Sequence, residues 1–174
     1  MKRYFLHLAY NGANYHGWQI QPGNQTVQET LENCISLKLG SRVSVIGCGR
    51  TDTGVHARHF YAHFDSEKMY DDLETFVNQM NLFLPDDIVV YDCREVPLDF
   101  HSRFDALSRT YRYYITREKN PFHANDTLYI YGPLDVELMQ KAADMLFEYK
   151  KDGIAVIYSN ADIDKAMDSG ALIY

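Results

Sequence analysis

The segment Gly49-Arg50-Thr51-Asp52-Thr53-Gly54-Val55-His56-Ala57 gathers an arginine, an aspartate, a histidine and two threonines between glycines. Glycine permits the tight, partly left-handed backbone that holds a side chain outward at a loop tip. Arg50 stands close enough in sequence to pair with Asp52, and a guanidinium beside a carboxyl group favours the ionised form. A charged aspartate between two strands is a candidate nucleophile. The same residue could instead cap its own turn by accepting backbone N–H bonds, and residue types alone leave both readings open.

Other side chains invite chemistry less strongly. His56, His59 and His63 suggest a metal, but His59 and His63 share a strand face that offers no carboxylate or cysteine partner, so no metal is expected. Cys34, Cys48 and Cys93 lack metal-ligand spacing and cannot all pair. Each falls in an expected helix or strand, which reads as buried free thiols in a reducing cytoplasm. Tyr15 and the single tryptophan, Trp18, could stack on a ligand or close the core under the first loop.

These groups must be positioned by elements, and hydrophobic periodicity supplies them. Arg3–Tyr10 alternates as a strand. Thr26–Leu39 reads as a helix with a Thr26/Glu29 capping box, an inner face of Val27, Leu31, Cys34 and Ile35, and Gly40 as its stop. Arg42–Cys48 and Arg58–Asp65 are strands flanking the motif loop. Asp71–Leu84 is a second helix, with Asp71 as cap, Glu74 completing the box and Pro85 ending it. Asp87–Val96 is a fourth strand. Strand, helix, strand, strand, helix, strand is the ferredoxin-like order, an α+β half-domain with an antiparallel sheet. After an irregular stretch, Leu107–Thr116 and Thr127–Tyr131 read as strands and Asp135–Glu148 as a helix lined by Leu138, Met139, Ala142, Leu146 and Phe147. The expected domains are 1–99, with the motif loop, and 100–174.

The chain has 174 residues, 46% of them apolar, enough for a real core. No stretch has the length and apolarity of a spanning helix, and the run Phe5–Tyr10 is too short and polar for a signal segment. The net charge of −7 argues against nucleic acid, yet it is unevenly spread. Met1–Phe64 holds six basic and three acidic residues, and Phe100–His123 five and two. Asp65–Asp99 holds two and ten, and Ala124–Tyr174 four and nine. Binding to a polyanion needs a basic surface rather than a basic protein.

The motif segment resembles the active-site motif of the tRNA pseudouridine synthase A family. Further matches follow in that family's order: Tyr10-x-Gly12, Tyr15-x-Gly17-Trp18-Gln19-x-Gln21, Thr26-Val27-Gln28-x-x-Leu31-Glu32, Asn81-x-x-Leu84-Pro85-x-Asp87-Ile88, His101-x-Arg103-Phe104-x-Ala106 and Arg109-x-Tyr111-Arg112-Tyr113. They run from Arg3 to about Leu146. Asn11 and Thr53 depart from the family's usual aspartate and alanine, and neither change removes a catalytic group.

The resemblance implies an RRM-like half-domain followed by the start of a second, incomplete one. It implies an isomerase that converts uridine to pseudouridine in the tRNA anticodon stem-loop, without cofactor or metal, as a cytoplasmic homodimer. It makes Asp52 the nucleophile and Arg50 the group that orients it. Tyr111 becomes the residue that stacks on the target base, and Arg58, Arg103, Arg109 and Arg112 are candidate RNA contacts. The alternatives are a catalytically silent RNA-binding fragment of the same family and an aspartic protease. The protease reading rests on Asp52-Thr53-Gly54, but Arg50-Thr51 replaces the apolar strand expected before that tripeptide and no second copy completes a dyad.

Overall fold

The computed structural model describes residues 1–142 and the backbone of 155–157. The chain divides into two compact units, Met1–Leu107 and Ser108–Tyr174.

The first unit contains β1 (Lys2–Tyr10), α1 (Val27–Leu39), β2 (Val45–Gly47), β3 (Ala57–Ser66), α2 (Leu73–Asn81) and β4 (Ile88–Val96). The sheet order is β2-β3-β1-β4 with every pair antiparallel, the ferredoxin-like arrangement expected from periodicity. The two-residue alternation of β1 and β3 sends Tyr4, Leu6, Leu8, Phe60, Ala62 and Phe64 into the core, with Val27, Leu31, Ile35, Phe76 and Met80 of the helices. The Leu, Ile, Val, Phe and Met side chains among them each contribute about 1.5–3 kcal/mol through burial. The opposite sheet face carries a ladder of rings. Phe5 stacks on Tyr61 at 5.3 Å, and His7 lies 4.8 Å from Tyr61 and 5.1 Å from His59.

Local chemistry moves several boundaries. Thr26 caps α1 as expected, accepting from the Glu29 N–H, and Gly40 ends it in the left-handed conformation. The second helix is capped by Asp72 rather than Asp71. The Asp72 backbone is extended and its carboxylate accepts from the N–H groups of Glu74 and Thr75 at 3.2 and 3.0 Å. That helix stops at Asn81, ahead of Pro85, and the Asn81 side chain bonds both the N–H and the C=O of Val90 on β4. The second strand is only Val45–Gly47. The N–H of Val43 goes to Ser36 Oγ and that of Val45 to Glu32 Oε1, which ties this stretch to α1.

The segment 100–107, expected with the second domain, belongs to the first unit. Ser102 is its hook: buried at 3% exposure, its hydroxyl donates to Ile46 C=O at 2.8 Å and lies 2.8 Å from His63 Nδ1.

In the second unit β5 (Arg112–Thr116) pairs in parallel with β6 (Leu128–Tyr129) and with β7 (Ala155–Ile157). The strand expected from Leu107 therefore begins only at Arg112. Residues 136–142 are helical, and the Leu138 N–H donates to the Asp135 carboxylate as a cap should. Leu138, expected on the inner side, is 62% exposed. The rest of that expected helix, with Leu146 and Phe147, and most of the tail lie outside the described residues. Among the described residues no helix is long and apolar enough to cross a membrane.

Candidate active site

The motif occupies the loop between β2 and β3, at one end of the sheet. Its backbone is fastened from several sides. The Cys48 N–H donates to Tyr61 C=O at 2.7 Å where the loop leaves β2. At the centre, Trp18 N–H donates to Thr51 C=O at 3.0 Å, and the Tyr10 and Thr51 hydroxyls lie 2.8 Å apart. Beyond Asp52, Val55 N–H donates to Asp52 C=O and Gly54 N–H to Tyr15 C=O, both at 3.2 Å. At the exit, Gly12 N–H donates to His56 Nδ1 at 3.1 Å.

Two glycines of the first loop make this fastening possible. A Cβ on Gly17 would stand 2.3 Å from Thr51 O, and one on Gly12 would stand 2.0 Å from Val55 O. Gly17 also has φ of +81°, a conformation that L side chains rarely adopt. The first loop thus presses on the residues just before and just after Asp52.

Tyr15 and Trp18 close the core, which settles the alternative left open by sequence: they are 2% and 3% exposed. Trp18 packs on Phe60 at 4.3 Å, and Tyr15 donates to Asp87 at 2.6 Å. Burial, with Asp87 beside it, pushes the Tyr15 phenol above its usual range. The supporting roles of Tyr10, Gly12, Gly17 and Asp87 escaped residue-type reasoning. Their signal was the clustering of glycines and aromatics in Tyr10–Trp18, read as motif without a mechanical role.

Asp52 is exposed at the loop tip, and among the described residues its carboxylate has no hydrogen bond or ion pair. The expected Arg50–Asp52 pair is not formed. Thr51 between them is tied through both carbonyl and hydroxyl, so core contacts and not an ion pair set the loop. Arg50 is exposed and instead lines a cleft with Arg103. Arg58 is half-buried on β3. Arg109, Tyr111 and Arg112 belong to the second unit, where Tyr111 is 45% exposed just before β5 and Arg112 opens that strand.

Among the described residues no group of three or more His, Cys, Asp or Glu could hold a metal. The three histidines go separate ways. His56 accepts from Gly12, His59 lies 2.9 Å from His7, and His63 is buried against Ser102. Burial, helped by Arg3 and His101, pushes the His63 imidazole down to about 4. Burial likewise raises the thiols of Cys34 and Cys93 to about 11 and about 12, so both are poor nucleophiles.

The site is therefore a rigidly mounted, solvent-facing carboxylate beside basic side chains. Such a group can attack an electrophilic carbon of a bulky ligand presented from outside. A family profile described as tRNA pseudouridine synthase matches residues 8–105. A tRNA pseudouridine synthase A of Bacteroides thetaiotaomicron is 52% identical over 149 residues, covering 86% of this chain and 55% of its own. One from Parabacteroides distasonis is 46% identical over 149 residues, covering 86% and 59%. One from a Geobacter species is 42% identical over 144 residues, covering 82% and 58%. The chain spans somewhat more than half the length of these relatives.

Proposed function

Because the chain belongs to the tRNA pseudouridine synthase family, we propose that it acts as an isomerase on tRNA, converting uridine to pseudouridine in the anticodon stem-loop. The observation that carries this reading is Asp52, solvent-facing on a loop whose backbone the core fixes before and after it. Pseudouridine formation breaks the bond between the ribose and uracil N1, turns the base, and rejoins it through C5. Atoms balance without a redox partner: the C5 hydrogen leaves as a proton and the freed N1 takes one up. The protein must supply a carboxylate that attacks, which is the role of Asp52, and a surface that holds the base while it turns.

Tyr111 takes that second role, its ring stacking on the uracil. The support is its place in Arg109-x-Tyr111-Arg112-Tyr113 and its exposure. The target base must leave its stack, at a cost of a few kcal/mol that stacking and phosphate contacts offset. Arg58, Arg103, Arg109 and Arg112 are the proposed phosphate contacts. Arg50, beside Asp52 in sequence, is the other site cation. The enzyme works in the cytoplasm as a homodimer, with one tRNA spanning both copies and no cofactor.

Release of tritium from C5-labelled uridine in tRNA tests this. The wild type is expected to release it and Asp52→Ala to release none while still binding tRNA. The same assay separates the alternative, an RNA-binding fragment that binds tRNA and forms no pseudouridine.

A further inference from the structure

Beyond Asp52 the motif loop turns back on itself. Val55 N–H donates to Asp52 C=O at 3.2 Å, and Gly54 takes the left-handed conformation at φ of +80°. The far end of that turn is mounted on Gly12 through two contacts made by that one residue. Its α-carbon presses on the Val55 carbonyl so closely that an added Cβ would stand 2.0 Å from the oxygen. Its N–H donates to His56 Nδ1 at 3.1 Å. Gly12 is buried, and a buried N–H costs free energy unless it finds an acceptor. The imidazole supplies one. A ring nitrogen accepts a hydrogen bond only when it carries no proton, so this bond makes His56 the tautomer protonated at Nε2.

The chain of contacts ends at the reacting group. His56 holds Gly12, Gly12 sets the Val55 carbonyl, and the Val55 N–H holds the Asp52 carbonyl. The other side of Asp52 is fastened separately, at Thr51, by Trp18 and Tyr10. We propose that His56 is a positioning residue: its Nδ1 locks the exit of the loop to Gly12 and thereby aims the Asp52 carboxylate, without itself touching the substrate. The inference rests on the proposed action of Asp52 on uridine. A carboxylate displaced by about 1 Å attacks far less often, while the surfaces that grip the RNA stay in place, so the effect belongs in kcat and not in KM.

The test compares wild type with His56→Asn and His56→Leu. The two replacements have nearly the same shape and differ in the acceptor: asparagine Oδ1 takes the place of Nδ1, and leucine offers nothing. Pseudouridine formation at saturating tRNA, tRNA affinity and melting curves are measured on each. His56→Leu is expected to lower the rate roughly tenfold to a hundredfold with affinity unchanged, and His56→Asn to restore most of it. In 15N-labelled protein without RNA, the Nδ1 signal of wild-type His56 should be that of an unprotonated nitrogen at pH 7. The Gly12 amide proton should move upfield in His56→Leu and return in His56→Asn. The wild-type signal needs no variant, so it tests the inference even where His56→Leu does not fold.

A protonated Nδ1, a folded His56→Leu that turns over at the wild-type rate, or a His56→Asn as slow as His56→Leu would each overturn the inference. So would weaker tRNA binding at an unchanged rate, which would make His56 an RNA contact. Any of these with wild-type conversion intact leaves the proposed function standing, whereas a wild type that binds tRNA and converts none of it removes both.

Discussion

At Gly17 the first loop meets the Thr51 carbonyl so closely that a methyl group has no room, and the backbone is left-handed as well. Gly17→Ala is expected to cost about 2–5 kcal/mol, from the strained conformation plus the clash. It should lower pseudouridine formation even at temperatures where the variant is fully folded, because the displaced atoms adjoin Asp52. Melting curves and turnover on the same preparation check this. Residue types made Asp52 legible because few short loops gather such groups between glycines. They did not reveal that Thr51 is held from beneath by Tyr10 and Trp18, since a contact across 33 or 41 positions leaves no trace in local spacing. The expected Arg50–Asp52 pair failed for the same reason: nearness in sequence suggested a bond that the fastening of Thr51 does not require.

Among the elements, the hook joining β2, β3 and the segment 100–107 has the clearest energetic signature. His63 Nδ1 accepts the Ser102 N–H, which needs a neutral imidazole, and burial holds its folded pKa near 4, below the ordinary 6.5. A group whose folded pKa is depressed in this way resists protonation in the native state. The stability it preserves is fully present above about pH 6.5 and lost as pH falls towards 4, by roughly 3 kcal/mol for this imidazole. Urea unfolding at pH 7 and pH 4.5 should show the loss, and His63→Phe should flatten that part of the pH profile. Ser102→Ala removes a buried hydroxyl that bonds Ile46 and should cost about 1–3 kcal/mol. Periodicity gave the right element order because the buried positions of β1, α1, β3 and α2 repeat cleanly. It overran β2, where the N–H groups of Val43 and Val45 are tied to α1 side chains, and α2, where Asn81 already turns its side chain to β4.

Among the described residues, nearly all the buried apolar side chains belong to Met1–Leu107, and of the second unit's only Tyr114 joins them. Phe122 and Tyr131 are each 90% exposed. Hydrogen exchange should therefore be slowest in the amides of β1 and β3 and much faster in β5 and β6. Equal protection across both units would contradict that distribution. The charge pattern has a consequence at this scale too. A chain of net charge −7 whose basic residues cluster in Met1–Phe64 and Phe100–His123 should bind tRNA with a steep salt dependence.

The account stands on the carboxylate of Asp52. Treating C5-tritiated tRNA with wild type and with Asp52→Ala, both shown to be folded and to bind the RNA, measures its role directly. Tritium released by the wild type and none by the variant is the expected result. Equal release from the two, or release from neither, would contradict it.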